Sequence, residues 1–257
     1  MATDHSKLPV SVFIVAQDEE QHIARLMASL SVFAEIIVVD SGSADSTPQI
    51  AAEFGAKVIH QAWLGYAGQK QFALEQCSQD WVLNLDADEV VTDAMIAAIQ
   101  QALTNDNCDA IRFDRNDLFI GKMPPAAMKK PNNVRFYRRE KASFDTNQKV
   151  HETAKCEGPI LFVDAAFNHY GYDQISVLMD KLNAYSSLKA QQKFANGKSA
   201  SFLKLMLIVP IEFLRKLLLQ RLIFFGRRGF ILAALNAYYA FLKEAKLLEL
   251  HLRKQND

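Results

Sequence analysis

Four short apolar runs, each followed by a stretch of helical period, fill the first hundred residues and leave few folds open. Residues 10–16 and 35–40 are β-branched and nearly all apolar, the mark of strands covered on both faces. Between them, Ile23, Leu26, Met27 and Leu30 recur at i, i+3, i+4 and i+7, which predicts a helix with one buried face. The unit then repeats. Ser46-Thr47-Pro48-Gln49 combines a capping hydroxyl, an early proline and a glutamine three positions on, and the helix it opens stops at Gly55. Residues 56–60 read as a third strand, 69–77 as a helix, 80–85 as a fourth strand and 92–103 as another helix. Strands alternating with helices imply right-handed crossovers and a mainly parallel sheet, whose ligands sit outside the carboxyl ends of the strands. Asp40 and Asp86 both fall at that edge.

Beyond Cys108 the pattern becomes β-rich, at 110–113, 134–137 and 160–163, with a loop around Pro124, Pro125 and Pro131; from Gln174 onward only helical period is visible. This predicts a sheet domain over 1–172 and a helical region over 173–257. Cys77, Cys108 and Cys156 are odd in number and never form a C-x-x-C pair, which argues for a reducing compartment and against a disulfide framework or zinc site. With 29 Lys plus Arg against 29 Asp plus Glu, no global field draws the chain to nucleic acid. The apolar run at 10–16 follows Asp4 and His5 and lacks a cleavage site, so no signal peptide is expected.

The stretch Asn84-Leu85-Asp86-Ala87-Asp88-Glu89-Val90 crowds three carboxylates behind an apolar strand. Acids at a helix N-terminus complement its dipole, which accounts for any one of them. Three together repel unless a cation or hydrogen-bond donors compensate. Oxygen ligands suit Mg2+ or Mn2+, which bind through one or two carboxylates plus substrate phosphates. Neither G-x-G-x-x-G after the first strand nor G-x-x-x-x-G-K-[ST] is present, so a dinucleotide fold and a P-loop are excluded. A nucleotide held by acids at strand ends, with a metal on its diphosphate, remains.

Val38-Val39-Asp40-Ser41-Gly42-Ser43-Ala44-Asp45-Ser46-Thr47, Gln69-Lys70 and Leu85-Asp86-Ala87-Asp88-Glu89 resemble, in order and spacing, the motifs of the family 2 inverting glycosyltransferases of GT-A fold. Lys149-Val150-His151-Glu152, His169-Tyr170 and the helical tail resemble the bacterial subgroup that includes lipopolysaccharide core β-1,4-glucosyltransferases. The resemblance implies a GT-A, Rossmann-like sheet with flanking helices and a C-terminal helical segment. It also implies a UDP-sugar donor, glucose first, and a lipopolysaccharide core acceptor such as heptose. Asp40 then accepts a hydrogen bond from uracil, Lys70 and Glu19 lie at the nucleotide, Asp86 faces ribose and metal, and Asp88 ligates the metal. Where the family usually carries Asn-Glu after the first strand, this chain has Asp18-Glu19, and a carboxylate donates no hydrogen bond.

An acceptor hydroxyl needs a base within reach of its proton. The candidate is Glu152, beside His151; the competing reading is a surface glutamate in a charged stretch. His169 is either a metal or diphosphate contact or a structural histidine. Arg135, Arg138 and Arg139 are candidates to grip an anionic acceptor, and a solvated strand face explains Arg138 and Arg139 equally well. Two other functions compete. One is a haloacid-dehalogenase-like phosphatase with Asp86 as nucleophile, although that motif belongs on a first strand and here three units precede it. The other is a degenerate transferase acting as a membrane-surface binding module.

Residues 202–225 are densely apolar but broken by Lys204, Glu212, Arg215, Lys216 and Arg221, and the uncharged run 229–242 is shorter than the roughly 18–20 residues needed to span hydrocarbon. Basic residues among Leu, Phe and Ile fit a helix lying in an anionic interface, which implies a cytoplasmic protein peripheral to the inner membrane. A helical layer packed on the sheet domain or on another subunit fits the same pattern.

Overall fold

The computed structural model of the chain describes residues 7–105, 107–146 and 153–256. Four strands, β1 (Leu8–Ala16), β2 (Phe33–Asp40), β3 (Lys57–His60) and β4 (Trp81–Asp86), are joined by helices α1 (Glu20–Ala28), α2 (Thr47–Glu53) and α3 (Tyr66–Glu75). They pair in parallel in the order β3-β2-β1-β4. A two-residue strand β5 (Glu89–Val90) and helix α4 (Asp93–Thr104) follow. The sheet then continues with β6 (Ala110–Asp117), β7 (Asn132–Arg138) and β10 (Ile160–His169), giving eight strands in the order β3-β2-β1-β4-β7-β6-β10-β5. The pairs β4–β7, β6–β7 and β5–β10 are antiparallel, so half the sheet is parallel and half is not. Short strands β8 (Ala142–Ser143) and β9 (Lys155–Cys156) form a separate ribbon.

Alternation along β1 explains how both faces of the sheet are covered. Val10, Val12 and Ile14 pack with Ile23 and Leu26 of α1, Ala51 of α2 and Met95 and Ile99 of α4. Phe13 points the other way and packs with Ile37, Val39 and, from α3, Ala73 and Leu74. Register then sets the chemistry. Ala16 lies opposite Asp40 and Val15 opposite Asp86, so the two acids flank the carboxyl end of β1, about 10 Å apart across two strand spacings.

The chain divides into two compact units. The first comprises residues through Asn116 together with Pro131–Tyr170; the second joins Asp117–Lys130 to the residues from Gly171 onward. The proline-rich loop expected within the sheet domain thus belongs to the helical unit. Its backbone is fastened there, because Gly121 N–H donates to Asp173 Oδ1 at 2.6 Å and the Arg228 guanidinium donates twice to the Ile120 carbonyl. Helices α5 (Ile175–Ala195), α6 (Phe202–Leu214) and α7 (Gly226–Asn256) make up the rest, with a π-turn at Arg215–Leu219 and a 3-10 turn at Leu222–Phe225. Phe119, Met128, Leu178, Leu222, Phe225 and Ala233 form the core of this unit. Glu244 of α7 is buried and held by Lys193 of α5 and Lys204 of α6, tying the three helices by charge. Among the described residues no helix is long and apolar enough to cross a membrane.

The turn into α7 requires glycine. Arg221 and Gly226 both have φ of 60°, and a Cβ on Gly229 would stand 1.8 Å from the Leu222 carbonyl oxygen. Backbone, not a flexible side chain, would have to move. Gly229→Ala is expected to destabilise the protein by about 1–3 kcal/mol, the usual cost of overpacking. Urea unfolding measures this, and an unchanged midpoint would show that the turn tolerates a methyl group.

Candidate active site

The loops after β1 and β2 are laced together by side chains that replace missing backbone pairing. Asp18 stands at φ 55°, in the left-handed region that Asp and Asn tolerate. Its N–H donates to Ser43 Oγ at 2.9 Å and its Oδ1 accepts from Ala44 N–H at 2.8 Å. The carboxylate that replaces the family's usual asparagine therefore works as an acceptor. Glu19 N–H donates to Thr47 Oγ1 at 2.8 Å, and Glu19 Oε2 lies 2.8 Å from His22 Nδ1. Ser46, expected to cap α2 through its hydroxyl, makes no such bond. Asp45 takes the Thr47 N–H and hydroxyl at 3.0 and 2.5 Å.

Asp40 ends β2 almost fully buried and closes its own turn. Its carboxylate accepts from Gly42 N–H at 3.0 Å and from the Ser43 hydroxyl at 2.5 Å, and Gly42 at φ 100° makes the turn possible. Gln69 of α3 donates to Ser41 Oγ and to the Gln61 carbonyl, both at 2.9 Å, which anchors α3 beside this turn. One helical position on, Lys70 is buried and its Nζ lies 2.9 Å from Asp86 Oδ1.

The acidic crowd at the end of β4 is compensated from within. Arg135 of β7, 6% exposed, places its guanidinium 2.8 Å from Asp86 Oδ2 and in contact with Glu89 Oε1, while Asp86 N–H donates to Glu89 Oε2 at 3.0 Å. Burial opposes ionisation of Asp86, but Arg135 and Lys70 outweigh it and hold the carboxyl well below the usual range. Glu89 is wholly enclosed, and burial aided by the Asp86 charge pushes it up to about 7 despite Arg135. The Asp86 side chain remains 42% exposed, so the one strongly ionised acid of the pair is also the one that faces outward.

Asp88 meets a different partner. Strand β5 pairs with the end of β10 so that His169 lies opposite Glu89, and Tyr170 N–H donates to the Asp88 carbonyl at 2.8 Å. This brings His169 Nε2 to 3.2 Å from Asp88 Oδ2, with both side chains largely buried. A carboxylate and an imidazole side by side are an oxygen-plus-nitrogen donor pair, which suits Mn2+ as well as Mg2+. Among the described residues no group of three His, Cys, Asp or Glu is close enough to enclose an ion. The set fits an ion that draws its remaining ligands from a bound phosphate.

Several sequence expectations need restating. Arg135, considered for gripping an anionic acceptor, is buried and committed to Asp86 and Glu89. Arg138 lies opposite Trp81, at the amino end of β4 and about five residues, roughly 17 Å, from Asp86. It pairs with Asp109 at 3.1 Å and covers the Trp81 ring, while Arg139 donates to the Gln79 carbonyl. These two arginines stabilise the far edge of the sheet. His151 and Glu152 lie outside the described residues. None of the three cysteines forms a disulfide; burial pushes the Cys77 thiol up to about 12 and that of Cys156 up to about 11.

Known proteins agree with this architecture. Residues 11–159 match the family model for glycosyl transferase family 2. Over 256 residues the chain is 38% identical to the lipopolysaccharide core biosynthesis glycosyltransferase LpsC of Rhizobium meliloti (strain 1021), covering 96% of this chain and 95% of that one. It is 34% identical over 260 residues to glycosyltransferase RP128 of Rickettsia prowazekii (strain Madrid E), covering 96% and 89%. The crystal structure of S. aureus TarS 1–349 in complex with UDP-GlcNAc superposes with a TM-score of 0.52 at 14% identity, over 96% of this chain and 92% of that one, a likeness of fold. The fold is the GT-A arrangement expected from the motifs. The chain belongs to glycosyl transferase family 2 and is a glycosyltransferase.

Arg135→Ala would leave Glu89 enclosed without its cation. It is expected to cost about 3–5 kcal/mol of stability, as breaking a buried pair from one side does, with Arg135→Lys losing less. Denaturant unfolding decides this, and a cost below about 1 kcal/mol would mean that the pair is no more than a surface ion pair in energetic terms.

Proposed function

We propose that the protein transfers a sugar, glucose first among the candidates, from a UDP-sugar to a hydroxyl of a lipopolysaccharide core acceptor such as heptose, with inversion. The observation that carries this is the juxtaposition of Asp40, Asp86 and Asp88 at one carboxyl edge of the sheet, with His169 delivered to Asp88 from β10. LpsC, whose name concerns the lipopolysaccharide core, matches this chain along nearly its whole length and supports the acceptor.

In this reading Asp40, whose oxygens keep spare lone pairs beside the turn they close, accepts from the uracil N–H. Asp86, outward-facing and firmly ionised, accepts from ribose hydroxyls, with Lys70 and Arg135 fixing its rotamer and Glu19 bordering the nucleotide pocket. Asp88 and His169 would hold a divalent cation, Mg2+ or Mn2+, which when bound offsets negative charge on the diphosphate. Asp86, with lone pairs left beside Lys70 and Arg135, would be a further ligand. Glu152 takes the proton from the acceptor hydroxyl. The acceptor oxygen bonds to the anomeric carbon on the face opposite the diphosphate, and the bond to UDP breaks with its electron pair leaving on the diphosphate. The lipid anchor of such an acceptor puts the reaction at the cytoplasmic surface of the inner membrane.

Titration calorimetry with UDP, with and without Mn2+, tests the donor site. Metal is expected to strengthen UDP binding, and Asp88→Ala or His169→Ala to remove about 10–100-fold of that gain, the scale of losses in a metal's ligand environment. Glu152→Gln is expected to bind UDP normally and to lose transfer. Metal-independent binding in all forms, or near-normal turnover by Glu152→Gln, would contradict the assignments.

A further inference from the structure

Helix α6 packs on its own unit along one side, through Phe213, and leaves the other side bare. Thirteen residues long and mostly Leu, Ile, Val, Phe and Met, it has no buried residue. Leu203, Leu207, Ile211, Leu214 and Leu218 follow one another at steps of three or four, a stripe that runs through α6 into the π-turn, and every one of them is exposed. Phe202 and Met206, 69% and 63% exposed, widen it. Between 202 and 230, twelve large apolar side chains face outward. Scattered exposed hydrophobics are ordinary, but a contiguous face of this size marks an interaction surface.

A groove continues the face. Val209, Pro210 and Phe213 of α6 and Ala237, Tyr238 and Phe241 of α7 enclose about 450 Å³ with an almost wholly apolar lining. Val209 and Tyr238 belong both to this lining and to the exposed set, so groove and face are one surface. Proline inside α6 contributes, because it cannot donate to the Met206 carbonyl and its ring spreads the helix there.

The charge of the same segment selects the occupant. From 202 to 230 the bases are Lys204, Arg215, Lys216, Arg221, Arg227 and Arg228; Glu244 takes Lys204, Glu212 takes Arg215 and the Ile120 carbonyl engages Arg228, which leaves Lys216, Arg221 and Arg227 as the positive surplus. A second copy of the chain would bring the same excess of positive charge against itself, whereas an anionic lipid surface complements it. We propose that α6 and the turns up to Phe225 lie in the headgroup region of an anionic bilayer, with the apolar stripe in the acyl layer and the α6–α7 groove receiving an acyl chain. This deepens the membrane-surface part of the proposed function and names the segment that makes the contact; it needs nothing from the donor chemistry. A helix buried along one side by lipid requires no spanning length.

Flotation of the full chain with phosphatidylcholine vesicles and with 3:1 phosphatidylcholine:phosphatidylglycerol vesicles tests it. The expected result is at least tenfold stronger binding to the anionic vesicles, lost in the Leu203→Glu/Met206→Glu variant. Both positions are exposed, so the variant is expected to keep the wild-type melting temperature and its stabilisation by UDP. That control separates failure of this proposal from failure of the donor site. Absence of wild-type binding, equal binding by the variant, or a wild-type dimer that the variant dissociates without any vesicle binding would each overturn it.

Discussion

The ion pairs of Arg135 organise the acidic carboxyl edge of the sheet. Strand β4 drives an apolar run to the sheet edge and ends among Asp86, Asp88 and Glu89, an arrangement that repels itself in a desolvated place. One guanidinium, carried on the neighbouring antiparallel strand, reaches Asp86 and Glu89 together, and Lys70 takes the second oxygen of Asp86. Both contacts fall on one guanidinium nitrogen, Nη2. The consequence is a division of labour: Glu89 is enclosed and satisfies the Asp86 N–H, Asp86 is ionised and outward, and Asp88 is released toward His169. Buried pairs of this kind contribute little net stability against an apolar alternative, but they do impose one arrangement of the acids.

Much of the sheet was legible because its signals are local. The β-branched runs and the α1 stripe depend only on neighbours in sequence, and the strands and helices fall within a few residues of where periodicity put them. Asp40 and Asp86 followed from the same logic, since each closes a parallel strand. The Arg135 clamp, the Asp88–His169 pair and the destiny of Arg138 were not legible. Each depends on which strand lies beside which, and β7 and β10 join the sheet antiparallel and out of sequence order. Arg138, on the same strand, and Arg139, just beyond its end, look alike in sequence to Arg135; only the register of Arg138 with Trp81 separates edge from site. The Ser46 cap was misread for a smaller reason, because Asp45 supplies the carboxylate that the turn uses.

The helical unit reverses the usual relation between composition and burial. Its core is built from few residues, among them Phe119 and Met128 from the proline-rich loop, while α6 keeps most of its apolar side chains exposed. Sequence periodicity alone left packing and surface contact equally open for these helices. Burial along α6 is what distinguishes them, and the excess of basic residues beside it gives the exposed face a chemical direction.

A double-mutant cycle between Arg135→Met and Glu89→Leu, read by urea unfolding at pH 7, tests most directly whether the acidic edge is organised by this pair. The account predicts a coupling of about 2 kcal/mol or more, with the double variant more stable than the sum of the single losses, because each single change leaves one buried member of the pair without the partner it was built against. Losses that add to within about 0.5 kcal/mol would contradict it and would mean that the acids hold their places without Arg135.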